Sequence, residues 1–122
     1  MLFRSFMPER TVHDIDMPGE FFSRIHCYVN ASFCEGGPLP PQQALLCGRP
    51  VITTRTGFIE SLVSPGWNGH FFDGSVTDLF TAINSVREDY EGLARRAAEI
   101  RLPTVSAVSA HYLTLWQKVV EA

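Results

Sequence analysis

A single stretch decides how this chain folds: residues 27–54 read CYVNASFCEGGPLPPQQALLCGRPVITT. Residues 27–32 predict a strand, and a glycine-containing turn follows at residues 35–38. Residues 39–47 predict a helix that ends before a glycine, which is the usual residue after a helix. Residues 50–54 predict a second strand, short and β-branched as buried parallel strands are. This strand–helix–strand order indicates a right-handed βαβ unit.

The same alternation extends on both sides of this stretch. Residues 18–25 predict a short amphipathic helix, and the first sixteen residues suit a short strand followed by a loop. Downstream, residues 59–63 predict another short helix and residues 70–72 a third strand. The predicted fold class is therefore α/β, with a Rossmann-like parallel sheet flanked by helices. Residues 1–122 are expected to form a single domain.

The remainder of the chain is predicted to be helical. Ser75 is expected to cap the first helix, with Asp78 three residues on in the place of a capping-box acid. Apolar residues then recur at helical spacing in three stretches, and we expect all three stripes to be core positions. They are Leu79, Phe80, Ile83 and Val86; Tyr90, Leu93, Ala94 and Ala97; and Val105, Val108, Tyr112, Leu115, Trp116, Val119 and Val120.

The composition excludes several classes of protein. Of the 122 residues, 45% are hydrophobic and 19% charged, which excludes disordered and fibrous chains. The 10 Lys and Arg against 13 Asp and Glu give a formal net charge of −3, so we expect no nucleic-acid partner. No apolar run is long enough for a membrane helix, and the first residues lack the apolar region of a signal peptide. We therefore expect a cytoplasmic protein.

The cysteines and histidines form no metal-binding pattern. Cys27, Cys34 and Cys47 are irregularly spaced and contain no Cys-x-x-Cys pair, and the 4 histidines lie at no ligand spacing from them. Free thiols in a reducing compartment are the expected state. We expect no metal and no cofactor.

The turn at Glu35-Gly36-Gly37-Pro38 is the candidate ligand site. It should lie at the carboxyl ends of the strands, where open α/β sheets bind ligands, together with residues 54–57. Its glycines would let a ligand approach the backbone, and the helix N-terminus behind it favours phosphate. The Glu35 carboxylate suits hydroxyl groups, so a nucleotide-sugar fits both features. Many βα turns contain two glycines, so a simple tight turn with an exposed acid is the alternative.

The same segment resembles the donor-binding motif of group 1 (family 4) retaining glycosyltransferases, which have the GT-B fold. In that motif a Glu and a glycine turn precede a second Glu eight positions on, followed by Ala, Gly and Pro-Val. The resemblance runs from about residue 21 to the end of the chain. The matching residues are Glu35, Ala44, Gly48, Pro50 and Val51, then Thr54, Gly57 and Glu60, then Gly66, Asn68 and Gly69.

The resemblance implies a role for each residue of the turn. The first Glu of the family contacts the hydroxyls of the transferred sugar, so Glu35 is the candidate catalytic residue. Backbone amides that contact the sugar and diphosphate map to Gly36, Gly37 and Leu39. The second Glu accepts hydrogen bonds from the ribose, and Gln43 occupies its place.

Three departures from the family pattern qualify this assignment. Gln43 offers one neutral acceptor oxygen where a carboxylate would offer charged ones, a loss of about 1–3 kcal/mol in donor binding. Pro38, Pro40 and Pro41 lack an N–H, which leaves the turn fewer anion donors. Nothing before Pro18 resembles the segments that bring basic residues to the diphosphate, or the acceptor domain.

We therefore expect the incomplete C-terminal, donor-binding half of a GT-B glycosyltransferase, inactive on its own and binding nucleotide-sugars or nucleoside diphosphates weakly. Strands without neighbours and uncovered apolar surface favour a homodimer, or association with the missing acceptor domain. A non-catalytic binding or interaction module that kept the fold is the main alternative. A small oxidoreductase is another, although no Gly-x-Gly-x-x-Gly follows a strand.

Overall fold

The computed structural model describes residues 18–121 and has nine elements, in which helices and strands alternate as far as the third strand and three helices follow. Three short strands and six helices follow one another in the order that the sequence predicts. The short strand suggested for the first sixteen residues lies outside the described residues. The elements are α1 Pro18–Ser23, β1 Tyr28–Asn30, α2 Leu39–Leu46, β2 Val51–Thr53, α3 Ile59–Leu62, β3 Gly69–Phe71, α4 Val76–Glu88, α5 Tyr90–Ala97 and α6 Val105–Val120.

The three strands form one parallel sheet in the order β1-β2-β3. Tyr28 pairs with Val51, which in turn pairs with Gly69. All three residues of the central strand β2 are buried, as expected for a parallel strand covered on both faces. The prediction of a Rossmann-like parallel sheet flanked by helices is confirmed for the described residues.

Helices cover both faces of the sheet, and successive side chains of β2 point to one face and then to the other. Val51 belongs to a core formed with α1, α2 and α3, which includes Phe22, Leu45 and Ile59. Ile52 points to the opposite face and packs with residues of α4 and α5 such as Val86 and Leu93. We call residues 18–100 the α/β body.

Ser75 caps α4 as predicted, whereas the acid three residues on has a different partner. The Ser75 hydroxyl accepts a hydrogen bond from the Asp78 amide at 3.2 Å. The Asp78 carboxylate accepts from the amide of Asp73 at 2.8 Å, two residues before the cap. It therefore ties the end of the β3 loop to the helix start.

The prediction that all three apolar stripes are core positions is wrong for α6. The first two stripes do contribute buried residues, although Phe80 on α4 is 64% exposed. None of the residues of α6 is buried, and Val105, Tyr112 and Trp116 are 84%, 68% and 72% exposed. Helical spacing identifies the apolar side of a helix, but it does not supply a surface to cover that side.

Candidate functional site

Three loops meet at the edge of the sheet where its parallel strands end. They comprise residues 31–38 after β1, residues 54–58 after β2 and residues 72–75 after β3. Parallel pairing places all three at the same edge. Glu35, Gly36, Gly37 and Leu39 lie in and just after the first of these loops, as the sequence predicts.

The β2 loop holds the glycine turn in place. The Glu35 amide donates to the Thr56 hydroxyl oxygen at 2.8 Å, and the Phe58 amide donates to the Gly36 carbonyl at 2.9 Å. Gly57 permits this approach: its φ is +53°, and a Cβ there would lie 2.3 Å from the Glu35 carbonyl oxygen. The position of the turn therefore depends on a glycine in the neighbouring loop.

Buried polar side chains support the same loops from below. The side-chain amide of Asn30 donates to the Thr53 hydroxyl oxygen at 3.2 Å, and the Thr53 hydroxyl donates to the backbone carbonyl of Thr54 at 2.8 Å. The Thr54 hydroxyl donates in turn to the Ser32 carbonyl. These bonds run from β1 to the β2 loop and back, so they fix the two loops relative to each other.

Three backbone amides of the predicted site have no protein acceptor within residues 18–121. They belong to Gly36, Gly37 and Leu39. Helix α2 begins at Leu39 behind Pro38, whose side chain cannot cap it, and Pro40 in the first turn brings no N–H. The helix start thus offers few donors, but those of the glycine turn and Leu39 are uncommitted.

Gly36 is a glycine that the fold itself does not require. Its φ is not positive, unlike that of Gly48, Gly57, Gly66 and Gly74. A Cβ at Gly36 would meet nothing within 4 Å. The missing side chain therefore leaves open space on the outside of the turn, where a ligand would reach the free amides.

The Glu35 carboxylate is half-buried at the lip of this turn. Within the described part of the chain it takes part in no hydrogen bond or ion pair. Its charge does reach Tyr28: burial raises the pKa of the Tyr28 phenol above its usual range, and the negative charge of Glu35 raises it further. An acceptor with uncommitted oxygens beside uncommitted N–H groups can bind a ligand that carries both hydroxyls and an anionic group.

Gln43 lies one turn along α2 from Leu39, and it is half-buried. Residues four apart share one face of a helix, so Gln43 lies on the same face of α2 as Leu39, one turn further from the glycine turn. Its neighbour Gln42 is engaged locally, because its side-chain amide donates to the Pro38 carbonyl at 3.0 Å. Within the described residues, no hydrogen bond joins the Gln43 side chain to Glu35 or to the glycines of the turn.

A pocket that the sequence did not predict lies beside the turn on the β3 side. Its volume is about 400 Å³. The Arg55 guanidinium lies 4.1 Å from the centre of the Phe71 ring and 3.0 Å from a carboxylate oxygen of Glu60. The sequence feature that could have indicated this pocket is the predicted position of the three strand ends at one edge of the sheet. The pocket is lined by Phe33, Thr54, Arg55, Phe71, Phe72, Asp73 and Asp78.

Comparison with known families identifies the chain. A sequence model of the family described as glycosyl transferases group 1 matches residues 12–101. The chain belongs to the group 1 glycosyltransferases. The match includes the glycine turn and all three strands of this glycosyltransferase domain, while α6 lies beyond it. No curated protein matches the chain.

The arrangement of metal-ligating side chains, the character of the helices and the state of the cysteines also bear on the kind of site. Among residues 18–121, no three His, Cys, Asp or Glu side chains are arranged to hold a metal ion. Within the same residues, no helix has both the length and the apolar character that a bilayer crossing needs. The three cysteines are unpaired, and burial raises the pKa of the Cys27 thiol to about 12, which keeps it protonated.

Proposed function

We propose that this glycosyltransferase domain binds a nucleotide-sugar donor at the turn of residues 35–39. Glycosyl transfer is the activity of its family, and an activated sugar carries both chemical features that the turn suits. The diphosphate would accept from the free amides of Gly36, Gly37 and Leu39. The sugar hydroxyls would donate to the Glu35 carboxylate, whose oxygens have no protein partner within residues 18–121.

One observation carries this proposal: the open side of Gly36. A glycine with an ordinary φ and an empty surrounding is unexplained by folding, whereas close approach of a ligand to the backbone explains it. The resemblance of the segment to the donor motif of retaining enzymes supports the same turn. We therefore propose Glu35 as the residue that contacts the transferred sugar, with retention of the anomeric configuration.

The isolated chain should bind its donor weakly and should not catalyse transfer. A diphosphate carries at least two negative charges, and the leaving group needs cations or many donors to stabilise it. The basic residue of the β2 loop, Arg55, lines the pocket on the β3 side, where it contacts Glu60 and Phe71. Gln43 supplies only a neutral acceptor to the ribose. Transfer of sugar from a nucleotide donor by the purified chain would contradict this part of the proposal.

Backbone amide NMR tests the site directly. Titration of the full chain with UDP, GDP and ADP should shift the amide signals of Gly36, Gly37 and Leu39 before those of the β3 loop. Gly36→Ala should weaken the binding by about tenfold while leaving the unfolding midpoint unchanged, since its Cβ meets no protein atom. Gly19→Ala, which also meets nothing within 4 Å, is the matched control and should leave binding unchanged.

The ribose contact is tested by restoring a carboxylate. Gln43→Glu should raise nucleotide affinity by about tenfold, because a charged acceptor binds ribose hydroxyls more strongly than an amide does. Gln117→Glu on α6 makes the same charge change far along the chain and should have no effect. If no nucleotide shifts the turn and Gln43→Glu changes nothing, the chain keeps the fold as a non-catalytic module.

A further inference from the structure

Helix α6 carries more exposed large apolar side chains than any other element among the described residues. It has 16 residues, so it is about 24 Å long, and every one of them is exposed. Half of the exposed large hydrophobic side chains of residues 18–121 belong to this helix alone. A monomeric protein seldom leaves such a surface in water, because covering it is strongly favourable.

Six of the eight large apolar side chains of α6 fall on one side, and Leu113 and Val120 lie beside them. The six recur three, four, three, one and three residues apart, which is the spacing of a helix that packs against another helix. Polar residues such as His111, Thr114 and Lys118 occupy the opposite side. We call the apolar side the α6 stripe; it consists of Val105, Val108, Tyr112, Leu115, Trp116 and Val119.

The size and charge of the α6 stripe favour an identical surface as its partner. Its six side chains expose on the order of 700 Å² in each copy, near the about 800 Å² that each partner buries in a standard interface. Lys118 is the single residue of α6 with a formal charge, and it lies off the stripe. Two copies can therefore meet about a two-fold axis without placing like charges opposite each other.

We propose that the α6 stripe is the interface of a homodimer of this chain. The two helices pack stripe to stripe, with Tyr112 and Trp116 at the centre as the aromatic anchors. The α6 stripe contains no residue of β1 or of the turn of residues 35–39, so we expect a stripe variant to leave donor binding unchanged. Covering the stripe in this way also explains why a regular 16-residue helix forms although none of its residues is buried.

Sedimentation of the full chain over a range of protein concentrations tests the dimer. The wild-type chain should pass from monomer to dimer as concentration rises. Tyr112→Glu should raise the dissociation constant by at least about tenfold, since it places two carboxylates in the contact. Thr114→Glu, two residues away on the polar side, is the matched control and should leave dissociation within about threefold of wild type.

Two further readouts keep the test decisive. Far-UV circular dichroism should show that both variants retain a folded body, because neither residue is packed in it. In a Trp67→Phe background, the fluorescence of Trp116 should move to shorter wavelength as the dimer forms. A chain that stays monomeric at all concentrations overturns the proposal. So does a dimer that Tyr112→Glu leaves intact, which would assign the contact to another surface such as the β1 edge.

Discussion

The α/β body and helix α6 contain similar apolar stripes but treat them differently. On α5 the stripe buries Leu93 and Ala97 against the two faces of the sheet, whereas the longer stripe of α6 buries nothing. The body also fixes its loops with buried hydroxyls and close backbone contacts. A sequence pattern is therefore enough to predict that a helix forms, but burial of its apolar side also needs a surface to pack against. Substitutions should accordingly cost more free energy of unfolding in the body than in α6.

The largest effect should come from Gly57→Ala in the body. The added Cβ would lie 2.3 Å from the Glu35 carbonyl oxygen and 2.4 Å from that of Gly36, and the φ of +53° adds strain. We expect a loss of about 4 kcal/mol in the free energy of unfolding, measured by urea denaturation, together with displacement of the glycine turn.

Gly66→Ala is the matched control for this substitution. Its φ of +75° is also positive, but a Cβ there meets nothing within 4 Å. It should cost only the backbone strain, about 1 kcal/mol. Equal losses for the two variants would mean that the β2 loop does not hold the turn of residues 35–39.

A matched leucine pair compares the body with α6 directly. Leu45 on α2 is fully buried, and Leu115 on α6 is 44% exposed. Leu45→Ala should cost about 3 kcal/mol because it leaves a cavity in the core. Leu115→Ala should cost less than about 1 kcal/mol, provided that unfolding is measured at a concentration where the chain is monomeric. A large loss for Leu115→Ala would show that α6 packs on the body.

The sequence was sufficient for the body because its signals are local and mutually consistent. The glycine-bounded helix of residues 39–46, the β-branched strand of residues 51–53 and the Ser75 cap each indicate their own structure. The bonds of Thr56 with Glu35 and the fit of Gly57 against it could not be predicted, since they join residues 21 or 22 positions apart. The environment of α6 could not be predicted because it depends on a surface outside the helix.

Alkaline pH should affect the body through the partly buried thiol of Cys27. The pKa of Cys27 is raised from 9.0 to about 12 in the folded chain, so the unfolded chain releases this proton first. The contribution of Cys27 is therefore constant below about pH 9 and destabilises the fold increasingly as pH rises toward 12. Cys27→Ala should reduce the slope of unfolding free energy against pH in this window. An unchanged slope would assign the effect to other groups, such as Tyr28.

The smallest effect, and the sharpest comparison, comes from two equivalent helix caps. Ser75 caps α4 and Thr104 caps α6, and each hydroxyl accepts from the amide three residues on at 3.2 Å. Ser75→Ala should lower the free energy of unfolding by about 1 kcal/mol, because α4 is packed on the sheet and unfolds with it. Thr104→Ala removes the same bond from a helix that has no buried residue. It should lower the helical signal at 222 nm without moving the urea midpoint of the monomer, since α6 frays independently of the core.

The same two cap variants can be compared under dimer-forming conditions. There, Thr104→Ala should raise the dissociation constant of the dimer, because a frayed α6 must become helical again before it can pack. If instead both caps shift the midpoint of the monomer equally, α6 unfolds together with the body, and the two regions are energetically one.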